Sequence, residues 1–106
     1  MKAKIAVLAG DGIGPEIMAQ AVRVLEATAR LYGHEFTMTA EDFGGVAIDR
    51  HGDGLPPQTL RTCLESDGVL LGAIGGPKWG PTAPVRPEPA LLRLRIVVAA
   101  RSATRA

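Results

Sequence analysis

Four residues near the carboxyl-terminal end of the chain could together bind a small branched carboxylic acid. They are Glu88, Leu91, Leu92 and Arg95. Their spacing of i, i+3, i+4 and i+7 places them on one face of a helix, which Pro89 is well placed to begin. An arginine fork suits a carboxylate, leucines suit an aliphatic branch, and a glutamate accepts hydrogen bonds from hydroxyl groups. On spacing alone, an amphipathic helix with buried leucines and solvated charges is the simpler interpretation.

A glycine-rich stretch, LAGDGIGPE at residues 8–16, follows the first apolar run. It resembles a phosphate-binding loop, but the dinucleotide fingerprint G-x-G-x-x-G needs its third glycine one position later than Gly14. Taken alone, the stretch predicts a strand end, a turn, and a helix that starts at Pro15, where a missing N–H is harmless. An ordinary connection between strand and helix therefore stays open beside a functional loop.

A second glycine cluster follows the last apolar run and contains Gly75, Gly76, Pro77, Lys78 and Trp79. Because ligands gather beyond the carboxyl ends of parallel strands, both glycine clusters are candidates for ligand binding. Lys78 adds a cation and Trp79 a flat apolar surface. The alternative is that Trp79 binds no ligand and only anchors the loop to the protein by apolar packing.

Strands and helices alternate along the chain, which is typical of an α/β fold with a mostly parallel sheet and flanking helices. The pattern predicts strands at 5–9, 35–41 and 69–74, helices at 15–32 and 58–66, and a long connection at 44–57. The strand at 35–41 alternates apolar and polar residues, so we expect it to have one buried face and to lie near a sheet edge. The predicted buried stripe of the first helix contains Ile17, Ala21, Val24, Leu25, Thr28 and Tyr32.

Composition narrows the possible partners and setting. The 106 residues suffice for one domain or part of one, and a net charge of +1 implies no charged partner. Four aromatic residues leave little for base stacking, so we expect no nucleic acid partner. The first apolar run is too short for a signal peptide or a membrane span. A single cysteine, Cys63, excludes an internal disulfide and favours a reducing, cytoplasmic setting.

Five segments stand in the order and approximate spacing of the amino-terminal part of the 3-isopropylmalate dehydrogenase family, which residues 1–95 resemble. They are LAGDGIGPEIM, FGGVAID at 43–49, Leu55–Pro56, GVLLGAIGGPKW at 68–79 and RPEPALLRLR at 86–95. GDGIGPE is common to the wider set of β-decarboxylating dehydrogenases. GGPKW followed by RPE-x-x-LL-x-LR is typical of the isopropylmalate branch, so the resemblance implies part of an isopropylmalate dehydrogenase-like fold.

The resemblance implies NAD-dependent oxidation and decarboxylation of 3-isopropylmalate in leucine biosynthesis, with Mg²⁺ or Mn²⁺ as the divalent metal. Residues 76–88 match the cofactor-contacting loop of the family, and Gly75 directly precedes it. Ile13 would pack near the nucleotide and Glu88 near the nicotinamide ribose. Arg95 matches a substrate-binding arginine, while Leu91 and Leu92, with Glu88, match positions that recognise the isopropyl branch. Full-length relatives are homodimers.

The resemblance ends at Arg95. Residues 96–106 match nothing in the family, so we expect a tail that is disordered or an irregular helix end. Its Ala- and Arg-rich composition is typical of out-of-frame translation of a GC-rich gene, which we favour over deliberate truncation. The family's catalytic tyrosine and lysine and its metal-binding aspartates fall beyond the matched segment, so we assign no catalytic or metal-binding residue here. Two hypotheses follow: part of a dehydrogenase, inactive alone, or a non-catalytic α/β fragment or interaction module.

Overall fold

The computed structural model describes residues 2–74 and 88–105, with side-chain environments through residue 99. Seven elements follow one another in this part of the chain. They are β1 (Lys2–Gly10), α1 (Gly14–Tyr32), β2 (Glu35–Ala40), α2 (Gly45–His51), α3 (Pro57–Glu65), β3 (Gly68–Ala73) and α4 (Glu88–Arg105). No helix among these is long and apolar enough to cross a membrane.

The described strands form one parallel sheet in the order β2-β1-β3. β1 pairs with β2 from Lys2 opposite Glu35 onward, and with β3 from Ile5 opposite Gly68 onward. The chain therefore leaves β1 towards β2 and later returns to the other side of β1, which is the arrangement of a doubly wound sheet. The predicted α/β class with a parallel sheet and flanking helices is confirmed, and so is the edge position of β2 within the described sheet.

The main core lies between the sheet and the helices α3 and α4. Its buried members are Ala6, Leu8, Phe43, Leu55, Cys63, Ala90 and Leu94, with exposures of 4% or less. β1 is the central strand, so both its faces are covered and it needs apolar side chains throughout, as in its run Ile5–Ala9. α4 thus belongs to the same packed layer as α3.

Helix α1 has the predicted ends for the predicted reasons. Pro15 lies in its first turn, Glu16 is favoured there by the helix dipole, and Gly33 ends it in a left-handed conformation with φ 69°. The Gly33 amide donates to the carbonyl of Ala29, which satisfies one of the last backbone acceptors.

The predicted buried stripe of α1 is wrong in part. Ile17, Val24 and Tyr32 are 53%, 66% and 70% exposed, whereas Met18 is 4% exposed and packs inward. The helix contains two apolar stripes that share the half-buried Leu25. Residue spacing alone does not determine which stripe packs against the sheet. The second stripe, through Met18 and half-buried Val22, is the one that does.

Helix α2 corrects the prediction of a long connection at 44–57. The segment has glycine at both ends, and Gly44 and Gly52 have φ of 77° and 76°. Because its helix propensity is modest and it is only seven residues long, the helix depends on a tertiary contact at its start, described below.

Helix α4 begins where predicted and continues as backbone helix to Arg105. Its buried side carries Ala90 and Leu94, with Leu91 and Val98 partly buried beside them. Arg95, where the sequence resemblance to the family ends, thus lies within one continuous helix.

Candidate functional site

The loop after β1 is attached to the end of β3. The amide of Asp11 donates to the carbonyl of Ala73 over 2.7 Å, and the Gly14 amide donates to the carbonyl of Asp11 over 2.8 Å. A Cβ on Gly10 would overlap the Ala73 carbonyl oxygen, and one on Gly14 would overlap that of Ala9. These two glycines therefore allow close backbone contact between the loop and its neighbouring strands.

The carboxylate of Asp11 caps helix α2 across a long stretch of sequence. It is 7% exposed, and its two oxygens accept hydrogen bonds from the amides of Gly45, over 2.6 Å, and Val46, over 2.9 Å. Gly44, at the N-cap position, has no side chain to do this. The sequence analysis gave Asp11 no role and missed this one. The glycine pair Gly44–Gly45 at the start of the segment is a local signal that could have indicated a cap from elsewhere in the chain.

An open cavity of about 360 Å³ lies at the carboxyl ends of β1 and β2. It is lined by Val7, Ala9, Gly10, Ala40, Glu41, Asp42 and Val46. Its size is within the range of small-molecule sites. The two carboxylates have protein partners: Glu41 accepts from the Thr62 hydroxyl over 3.1 Å, and Asp42 lies 3.0 Å from Arg50 Nη1 and from His51 Nε2.

The four predicted substrate residues lie along one side of α4. Glu88 and Arg95 are exposed, Leu92 is 61% exposed, and Leu91 is partly buried against the core. Leu91 and Arg95 also line an apolar groove of about 310 Å³ between α4 and β3, whose other lining residues are Val69, Leu71, Leu94, Val98 and Ala99. A charged fork beside apolar walls can hold a carboxylate with an aliphatic branch.

The predicted cofactor residues are only partly described. Ile13, just before α1, is 63% exposed at the edge where the strands end, so it offers an apolar surface. Glu88 opens α4 with an exposed carboxylate. The predictions for Gly75, Gly76, Pro77, Lys78 and Trp79 lie outside the described residues. In the described part of the chain, no group of three or more His, Cys, Asp or Glu side chains could hold a metal ion.

Arg93 attaches α4 to the segment between α2 and α3, and sequence reasoning missed it. Its Nη1 lies 3.1 Å from Asp53 Oδ1, and its Nη2 donates to the carbonyl of Leu55 over 3.0 Å. The hydrogen bond from Arg93 is the largest cause that lowers the pKa of Asp53 from its usual 3.8, and the hydrogen bond from the Leu55 amide is the second largest. Arg93 and Asp53 are 40 positions apart in the sequence, so no local sequence pattern indicates this ion pair.

The lowered pKa of Asp53 predicts a specific pH dependence of stability. The folded state favours the ionised carboxylate of Asp53. Its contribution to the free energy of unfolding is therefore present above pH 3.8, the usual pKa, and is lost as the pH falls through the lower pKa of the folded state. Both side chains are about half exposed, so solvent screening limits the contribution to about 1 kcal/mol or less. In urea titrations, Asp53→Asn should destabilise the protein at about pH 6, and the deficit should shrink towards about pH 3.

Arg93→Met provides the matched control for that experiment. Without the guanidinium, replacing Asp53 should have a smaller effect at neutral pH, since the largest cause of the pKa shift is gone. If the loss of unfolding free energy caused by Asp53→Asn stays constant across this pH range, the ion pair with Arg93 is not the source of the stability.

Comparison with known proteins accords with the fold and the motifs. Residues 4–100 match the family model described as isocitrate/isopropylmalate dehydrogenase. The chain is 57% identical over 95 residues to the 3-isopropylmalate dehydrogenase of Listeria innocua and 59% identical over 96 residues to that of Anaeromyxobacter dehalogenans. Each alignment covers 90% of this chain and 27% of the relative, so the chain spans about a quarter of the length of these relatives.

Solved structures show the same likeness. A β-decarboxylating dehydrogenase from Thermococcus kodakarensis superposes with a TM-score of 0.65 at 33% identity, over 88% of this chain and 26% of that one. Isocitrate dehydrogenase from Methylococcus capsulatus superposes with a TM-score of 0.62 at 33% identity, over 77% of this chain and 23% of that one. A family model that covers nearly the whole chain, and a matching fold, lead to one conclusion: the chain belongs to the isocitrate/isopropylmalate dehydrogenase family.

Proposed function

We propose that this chain supplies the amino-terminal part of an NAD-dependent 3-isopropylmalate dehydrogenase, an oxidoreductase of leucine biosynthesis. The observation that carries the proposal is the 57–59% identity to curated 3-isopropylmalate dehydrogenases over nine-tenths of the chain. A reducing, cytoplasmic setting is part of the proposal, supported by the buried free thiol of Cys63.

The substrate 3-isopropylmalate would lie along the exposed side of α4. Arg95 would donate two hydrogen bonds from its guanidinium to one malate carboxylate, and so fix its position and plane. Leu92 and the exposed part of Leu91 would contact the isopropyl branch, which discriminates it from unbranched malates by apolar contact. The groove beside Leu91 and Arg95, with its apolar walls, is compatible with this placement.

The cofactor NAD, when bound, accepts a hydride from the substrate carbon. Two described residues fit it: Ile13 offers an exposed apolar side chain for the nucleotide, and the carboxylate of Glu88 can accept hydrogen bonds from ribose hydroxyls. The amino-terminal loop would thus contact the cofactor through Ile13, while Gly10 and Gly14 serve backbone packing.

The divalent ion, Mg²⁺ or Mn²⁺, has no candidate ligand set among the described residues. We therefore assign it no ligands among residues 2–74 and 88–105. On this proposal the chain binds and orients substrate and cofactor, and it holds neither the acid and base nor the metal that complete the reaction.

A chimeric protein tests the proposal. Residues 1–95 joined to the carboxyl-terminal remainder of the Listeria innocua enzyme should reduce NAD with 3-isopropylmalate and Mg²⁺ or Mn²⁺, while the chain alone should not. General-base and Lewis-acid contributions together supply many orders of magnitude in rate, so their loss abolishes turnover. The remainder expressed alone is the control. A folded but inactive chimera, or turnover by the isolated chain that survives repurification, would contradict the proposal and favour a non-catalytic module.

A further inference from the structure

Three segments of the chain meet at the carboxyl end of the sheet, and Asp11 is hydrogen-bonded to all of them. Its amide donates to the carbonyl of Ala73 at the end of β3, and its carbonyl accepts from the Gly14 amide at the start of α1. Its carboxylate accepts from the amides of Gly45 and Val46 at the start of α2. One residue therefore joins the first loop, the end of β3 and the start of α2.

The contact around Asp11 is closely packed as well as hydrogen-bonded. Gly44 lies between its carboxylate and the side chain of Ile74. A Cβ on Gly44 would lie 2.8 Å from Asp11 Oδ2 and 2.8 Å from Ile74 Cγ2, so a larger residue does not fit there without a shift. The places of Ile74 and of the start of α2 thus depend on the place of Asp11.

Both segments that the proposed function assigns to NAD begin beside this contact. Ile13, whose exposed side chain would contact the nucleotide, lies between Asp11 and Gly14, and these two residues are hydrogen-bonded to each other. Gly75, the first residue of the second glycine cluster, directly follows Ile74 in the sequence. Asp11 is therefore in a position to determine where each of the two cofactor segments starts.

The substrate side of α4 is fixed by different contacts. Leu92 and Arg95 lie on this helix, which Arg93 attaches to the segment between α2 and α3. The hydrogen bonds of Asp11 described above are all made with other segments. A change at Asp11 should therefore act on the cofactor far more than on the substrate.

We propose that Asp11 is a positioning residue for NAD, which holds the loop of residues 10–14 and the end of β3 in the arrangement that the cofactor requires. The inference rests on the proposed function, because NAD binding belongs to that proposal. Asp11 acts through its neighbours and does not itself contact NAD. When fewer molecules have these segments correctly placed, the apparent Kd for NAD rises by the inverse of that fraction.

Asp11→Asn in the chimera tests this role. Asparagine has nearly the same shape, but its side chain has a single acceptor oxygen, so its NH₂ group meets one of the two α2 amides, donor against donor. The Kd for NAD from isothermal titration calorimetry, and KM for NAD, should rise at least about fivefold, the factor that corresponds to the roughly 1 kcal/mol of a lost helix cap. In contrast, kcat and KM for 3-isopropylmalate should change less than about twofold.

Asp67→Asn is the matched control. Asp67 Oδ2 accepts the amide of Lys4 over 2.8 Å and from 63 residues away, at the amino-terminal end of the strands. The substitution removes the same kind of carboxylate from a backbone amide at the opposite edge of the sheet, so the Kd for NAD should stay unchanged. Asp11→Ser is a second variant that avoids the contact between two donors, and it should also raise the Kd for NAD.

Hydrogen exchange of the 106-residue chain, followed by NMR, tests the contact without cofactor. In Asp11→Asn, the amides of Gly45 and Val46 should exchange at least about fivefold faster than in the unsubstituted chain, since they lose acceptors. In Asp67→Asn their exchange should be unchanged. Equal protection of these amides with Asp or Asn at position 11 would overturn the inference.

The kinetic outcomes separate this inference from the proposed function. If the unsubstituted chimera binds NAD and turns over, an unchanged Kd for NAD in folded Asp11→Asn and Asp11→Ser overturns the inference alone. An equal loss of NAD affinity in Asp67→Asn, or an equal rise of KM for 3-isopropylmalate, also overturns it, because the effect is then a general loss of structure. A folded unsubstituted chimera that does not bind NAD contradicts the proposed function, and this inference with it.

Discussion

Replacing Arg95 by alanine in the chimera should lower kcat/KM for 3-isopropylmalate by roughly 30-fold to 4,000-fold. The range corresponds to a loss of about 2–5 kcal/mol when a desolvated carboxylate loses its hydrogen-bonded cation. Arg95 is exposed on α4 beside an apolar groove, so its guanidinium is available to a ligand. Steady-state kinetics with 3-isopropylmalate measure the effect.

The neighbouring Arg93 provides the control for this experiment. Its guanidinium already binds Asp53 and the Leu55 carbonyl, so Arg93→Ala should reduce stability and leave the kinetic constants of folded chimera nearly unchanged. Arg95→Lys should fall between the wild type and Arg95→Ala, since it keeps the charge but loses the bidentate geometry.

Leu92→Ala should act on specificity instead of on carboxylate binding. Trimming an apolar pocket should reduce the preference for 3-isopropylmalate over malate by about 10- to 200-fold. If Arg95→Ala leaves the kinetics of a folded, active chimera unchanged, the substrate assignment is wrong and the simple amphipathic-helix interpretation of α4 replaces it.

Gly10→Ala should destabilise the chain by about 3 kcal/mol or more, enough to unfold a protein of modest stability. Gly10 has a φ of 76°, and a Cβ there overlaps the carbonyl oxygen of Ala73, the same oxygen that accepts the Asp11 amide. The methyl group therefore has to displace either β3 or the loop. Urea unfolding followed by circular dichroism measures the loss.

Gly12→Ala is the matched variant in the same loop. Gly12 also has a positive φ, 57°, but a Cβ there meets nothing within 4 Å. It should therefore cost only the roughly 1–2 kcal/mol of a left-handed alanine. Equal destabilisation by the two variants would show that conformation alone, and not close packing against β3, explains the glycine at position 10.

Much of the fold was predictable from local sequence because local forces determine it. Pro15 and Gly33 determine where α1 begins and ends, and unbroken apolar runs identify the strands at Ile5–Ala9 and Val69–Ile74. The helical spacing from Glu88 to Arg95 predicted that four residues share one face of a helix, and the structure has three of them, Glu88, Leu92 and Arg95, exposed. Their roles in binding stay predictions.

Only the tertiary structure decided the contacts between residues far apart in the chain. Asp11 caps α2 from 34 residues away, and Arg93 reaches Asp53 across 40. Each contact depends on where the sheet places two loops, which a local window of sequence does not contain. For the same reason the periodicity of α1 identified a helix but not which side packs on the sheet. That choice depends on the surface the helix meets, and it leaves Ile17, Val24 and Leu31 facing outward.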